Sequence, residues 1–333
     1  MASATPQASR PQGISLAGFQ ALIASHGGRE AFEGKSTVWV KFNLVLPSTA
    51  SAHTSYIASL TAAGSPHVAP ATAFISHAYD DPFLGVVDAV AALEDREGTS
   101  SFYYFDLLVV NQHGQDATVS FEVLQREFGD SVRAIGRTLL VLRWANPVPL
   151  SRAWCVFEMA TTLEVGARLE VLMPPEDVAD FLRALTADFD SLTYKTCRVD
   201  VENAGAFEQA DLDNIKRVIR EAGGFLKTNQ LVIGAMQSWM VKEAGAALEA
   251  MPVEERATSA LISNLAILLK NQGKLGEAEP LYLEALAARR RTLGNEHPDT
   301  LASINNLANL LKNQGKLGEA EPLYLEATGE RAP

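Results

Sequence analysis

The sequence predicts an α/β fold, a doubly wound and mostly parallel sheet, followed by an all-α array of helical hairpins. Apolar runs alternating with amphipathic stretches over residues 70–224 predict the sheet, and a duplicated segment with helical spacing over residues 256–333 predicts the array. A chain of 333 residues with 47% hydrophobic and 20% charged residues has the balance of a folded two-domain protein.

Residues 1–13, MASATPQASRPQG, read as a disordered tail with no apolar core behind the arginine, so they do not form a secretory signal. Residues 14–69 read as an extension of uncertain fold. Within it, Leu16, Phe19, Leu22 and Ile23 predict a short amphipathic helix ending near His26-Gly27-Gly28, while residues 36–64 carry apolar residues in no clean period.

From Ala71 the strands are expected at ATAFISH (71–77), FYYFDLLVV (102–110), TLLVLR (138–143) and LEVLM (169–173), with a further strand near 196–201. Helices are expected near 82–94, 119–135, from 152, near 176–188 and near 210–222. Strands separated by helices give a parallel sheet covered on both faces. In such sheets ligands bind beyond the carboxyl ends of the strands. Ser76, His77 and Asp80 follow the first strand, Asn111, Gln112 and His113 the second, and Arg143, Trp144 and Asn146 the third.

In PLSRAWCVFEM (149–159), Ser151 has the side chain of a helix N-cap, and Trp154 and Glu158 lie four apart on one helical face. With the strand AFISH, this segment resembles the Toll/interleukin-1 receptor (TIR) domain, whose plant members carry a similar Trp-Cys-Leu-x-Glu segment at the start of the helix after the third strand. The resemblance spans roughly residues 70–200 and implies a flavodoxin-like sheet, self-association of the domain, and NAD as a substrate. It matches Glu158 to the catalytic carboxylate of NAD cleavage, and the strand-end residues Ser76, His77, Asp80, Asn111 and His113, with Trp154, are expected around the nucleotide. A carboxylate beside the ribose holds its hydroxyls and stabilises the oxocarbenium-like charge as nicotinamide leaves. After the first strand the chain reads Ser-His-Ala-Tyr-Asp-Asp, without the family's usual Gly and Arg.

Other chemistries find less support. His77, His113 and Asp106 lack close metal-ligand spacing, and Cys155 with His77 lacks a local cysteine-protease signature. No Gly-rich phosphate loop with a following Lys-Ser/Thr occurs. No metal site is expected.

Residues 225–255 read as a connecting helix or cap. Beyond them, ISNLAILLKNQGKLGEAEPLYLEAL (262–286) and INNLANLLKNQGKLGEAEPLYLEAT (304–328) share 22 of 25 positions at an offset of 42. Ile262, Leu265, Ala266 and Leu269 recur at helical spacing, Gln272-Gly273 interrupts, and Ala278, Tyr282 and Ala285 mark a second helix. Neither hairpin buries its apolar faces alone, so neighbours must stack and leave a concave surface. Two exceptions to the identity, Ser263/Asn305 and Ile267/Asn309, sit four apart on one face of the first helix, which points to the groove.

The period, the GEAEPLYLEAL segment and the linker LGNEHPDT (293–300) resemble the tetratricopeptide repeats of kinesin light chains. The resemblance covers the last quarter of the chain and implies a groove that binds peptide segments of partner proteins. The matching positions are Asn305, Asn309, Lys312 and Asn313. Asparagines there hydrogen-bond an extended backbone and Lys312 favours acidic side chains. No heptad run precedes the repeats, so similarity does not carry a motor role.

A net charge of −12 disfavours nucleic acid and anionic lipid as partners. Two cysteines suit a reducing, cytoplasmic compartment, and no apolar stretch reaches the length of a membrane span. The expected function is a cytoplasmic signalling or scaffolding protein that binds partners through the repeat groove. The alternative is an NAD-cleaving enzyme, an NAD nucleosidase, activated by assembly.

Overall fold

The computed structural model describes residues 10–113, 121–206 and 208–328. The chain divides into two compact units, Met1–Val178 with Arg198–Ile233, and Ala179–Cys197 with Gly234–Pro333.

The first unit is built on a six-stranded sheet of β1 (Gln12–Ser15), β2 (Val68–Pro70), β3 (Ala73–Ser76), β4 (Phe102–Phe105), β5 (Arg137–Val141) and β6 (Arg168–Leu172). Their order is β2-β1-β4-β3-β5-β6. Strands β3 to β6 form the parallel core, and β1 runs antiparallel to both β4 and β2. The extension with no legible fold therefore supplies two strands at one side of the sheet, β2 at its edge and β1 between β2 and β4. Gln12 and Gly13, at the end of the expected tail, lie in β1, and residues 1–9 fall outside the described residues. Gly13 is required there because a Cβ would meet the backbone of Tyr103 at 2.8 Å.

Alternation along β3 shows both faces covered. Ile75 joins a core with Phe19, Phe83, Val86 and Phe105, while Phe74 faces Ile135 and Phe128 on the other side. Helices Leu16–Ser25 and Phe83–Glu97 pack together, as do Phe121–Ile135, Ala153–Glu164 and Gln209–Glu221. From β3 the chain runs to β4 on one side, then crosses to β5 on the other, so the switch point lies beyond the ends of β3 and β5.

Three local expectations are corrected. The strand over 102–110 ends at Phe105, because the Asp106 carboxylate accepts the Leu107 N–H at 2.8 Å and opens a helical turn, Asp106–Val109. No strand forms near 196–201. The helix Phe189–Thr196 closes there, and the Val201 N–H bonds Asn229 Oδ1 at 3.0 Å instead of a sheet neighbour. Ser151 does not cap its helix, since its hydroxyl donates back to Val148 O and the helix starts after Arg152.

The second unit holds two hairpins, Ala260–Asn271 with Leu275–Leu293 and Pro298–Asn313 with Leu317–Thr328. Each turns at a glycine in the left-handed region, Gly273 (φ 76°) and Gly315 (φ 79°). The helix Phe225–Glu249 flanks the first hairpin, where Ser238 Oγ receives Gln272 Nε2 at 3.1 Å. Phe181 stacks on Trp239 with centroids 4.9 Å apart, and Asn264 Nδ2 donates to Leu185 O. Residues 179–197 thus join the array's end. No described helix is long and apolar enough to cross a membrane.

Candidate functional site

At the switch point, Ser76 ends the buried strand β3 and Glu158 projects from the second turn of the helix after β5. Ser76 Oγ donates to Glu158 Oε2 at 2.6 Å. Burial pushes the Glu158 carboxyl up to about 8, the nearby Asp106 charge adds to this, and the Ser76 hydrogen bond opposes it. Glu158 is therefore largely protonated at neutral pH.

A second carboxylate sits beside it. Tyr79 Oη donates to Asp106 Oδ2 at 2.8 Å, and burial followed by the Asp106 charge holds the phenol well above its usual range. His77 is 5% exposed, its ring 4.6 Å from that of Phe105 and 5.2 Å from that of Tyr79. Among the described residues its buried Nε2 has no hydrogen-bond partner, and burial lowers its pKa, so the ring is neutral.

Cys155 donates its thiol to the His77 carbonyl at 3.2 Å rather than to the ring. Burial and then the Glu158 charge push that thiol well up, which keeps it protonated and removes the thiolate that a nucleophile needs.

The loop after β3 is held from outside by the N-terminal extension. Val38 N donates to Tyr79 O at 2.9 Å, Thr37 N to Asp81 O at 3.1 Å, and Phe83 N to Lys35 O at 2.9 Å. Asp81 is 8% exposed, and burial raises its pKa to about 6 against the lowering influence of Arg143. Arg143 itself pairs with Asp177 at 2.8 Å.

The residues expected around a nucleotide separate into groups. Ser76, His77 and Glu158 meet at the switch point. Asp80 is exposed and pairs with Arg152 at 3.6 Å, and the Trp154 indole donates to Asp211 Oδ2 at 3.2 Å. Asn111 and His113 bond the extension instead, Asn111 Nδ2 to His53 O at 2.9 Å and His113 Nε2 to Thr49 Oγ1 at 2.7 Å. The Thr49 hydroxyl donates to Val45 O, so it accepts from His113 and fixes the Nε2–H tautomer. Among the described residues no three His, Cys, Asp or Glu side chains converge as a metal site needs.

Sequence reasoning missed Tyr79 as a partner of Asp106 and the clamp from residues 35–38. A charge at the carboxyl end of the run FYYF was the one available signal for Asp106. A separate cavity of about 330 Å³ lies on another face of the Glu158 helix, lined by Arg126, Phe157, Thr161, Glu164 and Val218. Glu158 does not line it.

In the second hairpin Asn305, Lys312 and Asn313 are exposed and Asn309 is half-buried, along one stripe opposite the buried Thr300, Ile304, Leu307 and Leu311. Asn309 Nδ2 donates to Asn305 O at 2.9 Å, and its Oδ1 accepts from Tyr324 Oη at 2.9 Å.

Residues 256–329 match the family model for the tetratricopeptide repeat. None of the curated proteins compared with the chain matches it.

Proposed function

We propose that this protein is a cytoplasmic signalling adaptor that holds an extended, acidic peptide segment of a partner protein along the second hairpin. The observation that carries this is the polar stripe Asn305, Asn309, Lys312 and Asn313 on a helix whose opposite face is packed. Tetratricopeptide repeats are protein-binding modules, which supports the class of partner. The test is an array of extended acidic peptides probed with the full chain. Binding that Asn305→Ala with Lys312→Glu reduces by about tenfold or more supports the groove, and undiminished binding refutes it.

A second reading is favoured by the 2.6 Å contact between Ser76 and Glu158 at the switch point. In it, Glu158 orients the ribose of NAD and stabilises the positive charge as nicotinamide departs, water then taking C1′. Because the carboxyl titrates near 8, nicotinamide release should rise with pH through that value. Assembled protein incubated with NAD, beside Glu158→Ala, tests it. Release by neither protein, or equal release by both, removes Glu158 from the mechanism.

A further inference from the structure

One segment of the N-terminal extension braces both loops at the carboxyl ends of the strands. Val38 N holds Tyr79 O after β3 at 2.9 Å, and further along the segment Thr49 Oγ1 receives His113 Nε2 after β4 at 2.7 Å. Between these two anchors the backbone winds as a π-helical turn, Lys41–Val45, which packs against the turn Asp106–Val109. Such turns are rare and recur at functional sites. Lys41 opens it. Its Nζ stands 5.8 Å from the ring centroid of Phe42 and 5.9 Å from that of Tyr79, whose hydroxyl donates to Asp106. The ammonium group is therefore one aromatic ring away from a carboxylate of the switch point.

The other charges at these strand ends are acidic or already paired. Asp80, Asp81, Asp106 and Glu158 supply carboxyl groups, Arg152 pairs with Asp80 at 3.6 Å, and Arg143 pairs with Asp177 at 2.8 Å. Lys41 is half-buried against its two rings and has no carboxylate partner among the described residues. It is held in place without being neutralised. An anion entering a site lined by acids needs such a cation to meet it.

We infer that Lys41 binds the diphosphate of a dinucleotide whose ribose lies at Ser76 and Glu158. This rests on the second reading above and adds to it the residue that selects a phosphorylated ligand, since a lysine recognises phosphate as a compact charge. The extension then completes the site as well as bracing it. Lys35 also lacks a carboxylate partner among the described residues, but its Nζ stands 5.3 Å from the ring of Trp39 and not over Tyr79. It serves as the control for charge.

The experiment is calorimetric titration of the full chain with ADP-ribose, which keeps both riboses and the diphosphate and has no nicotinamide bond to cleave. Lys41→Met is expected to weaken binding about tenfold or more and to lessen its dependence on salt. Lys41→Arg should restore affinity to within about threefold, and Lys35→Met, an equal change of charge, should leave it within about twofold. Thermal melts of each variant verify folding. Binding that Lys41→Met leaves unchanged, or that Lys35→Met weakens equally, overturns the assignment of Lys41 while the second reading stands. Absence of binding to the wild-type chain overturns the proposal as well, and nicotinamide release that depends on Glu158 then decides the reading separately.

Discussion

The two hairpins differ at three of 25 aligned positions, yet the same side chains do different work in each. Tyr282 is 1% exposed and its buried hydroxyl has no partner among the described residues, whereas Tyr324 is half-buried and donates to Asn309. The difference in bonding traces to one exchange. Position 309 is asparagine, and its counterpart Ile267 offers the first hairpin's tyrosine no acceptor. Burial alone raises the Tyr282 phenol to about 12. Ser263 and Asn305 diverge likewise, since Ser263 is buried and receives Arg289 Nη1 at 3.0 Å while Asn305 faces solvent. Near-identity of sequence therefore does not mean equivalence of role. Context decides whether a position packs, bonds or binds.

Truncation should break the comparison most visibly. Tyr282→Ala leaves a cavity between helices and is expected to cost about 3–5 kcal/mol, while Tyr324→Ala should cost roughly half as much. Chemical denaturation of both variants measures this, and equal costs would deny the difference in burial. Removing only the hydroxyls should reverse the sign between copies. Tyr282→Phe relieves an unpaired buried group and is expected to be neutral or stabilising by about 1 kcal/mol, whereas Tyr324→Phe loses a bond worth about 0.5–1.5 kcal/mol. Two melting curves suffice, and a loss at Tyr282 would mean that its hydroxyl has a partner.

The smallest effect is one of pH. Gln314 and then Lys316 hold the Glu279 carboxyl below its usual range, so its folded pKa is depressed. Its contribution is present above the unfolded pKa and disappears as pH falls through the folded one. Glu279→Gln should flatten the acid limb of the stability curve. Glu158 has the opposite sign. Its folded pKa is raised, so its protonated form favours folding and that stability declines as pH rises from the ordinary carboxyl range towards 8. Glu158→Gln, which still accepts from Ser76, should remove this decline, with thermal melts between pH 5 and 9 as the readout.

These contrasts also mark how much was legible beforehand. The hairpins were plain because 42-residue self-similarity survives any environment, and the parallel strands were plain because a strand buried on both faces is a continuous apolar run, as in Ala73–Ser76. Strand β1 and its edge neighbour β2 were hidden, being three or four residues long and separated by short helices such as Thr37–Val40 and Tyr56–Ala62. Residues 196–201 misled because Val199 and Val201 are buried, which a strand and a packed turn achieve equally. At the switch point, spacing on the helix brought Glu158 forward, but its contacts with Ser76, 82 positions away, and the clamp of Val38 on Tyr79 depend on tertiary pairing that no local pattern encodes.

The claim at the centre of this account is that the exchanged positions of the second hairpin form its partner-binding stripe. Transplanting the first hairpin's residues, Asn305→Ser with Asn309→Ile, tests it most directly by measuring the affinity of the full chain for the acidic peptides that the wild-type chain retains. The account predicts a loss of about tenfold or more with the array still folded. Unchanged affinity would contradict it.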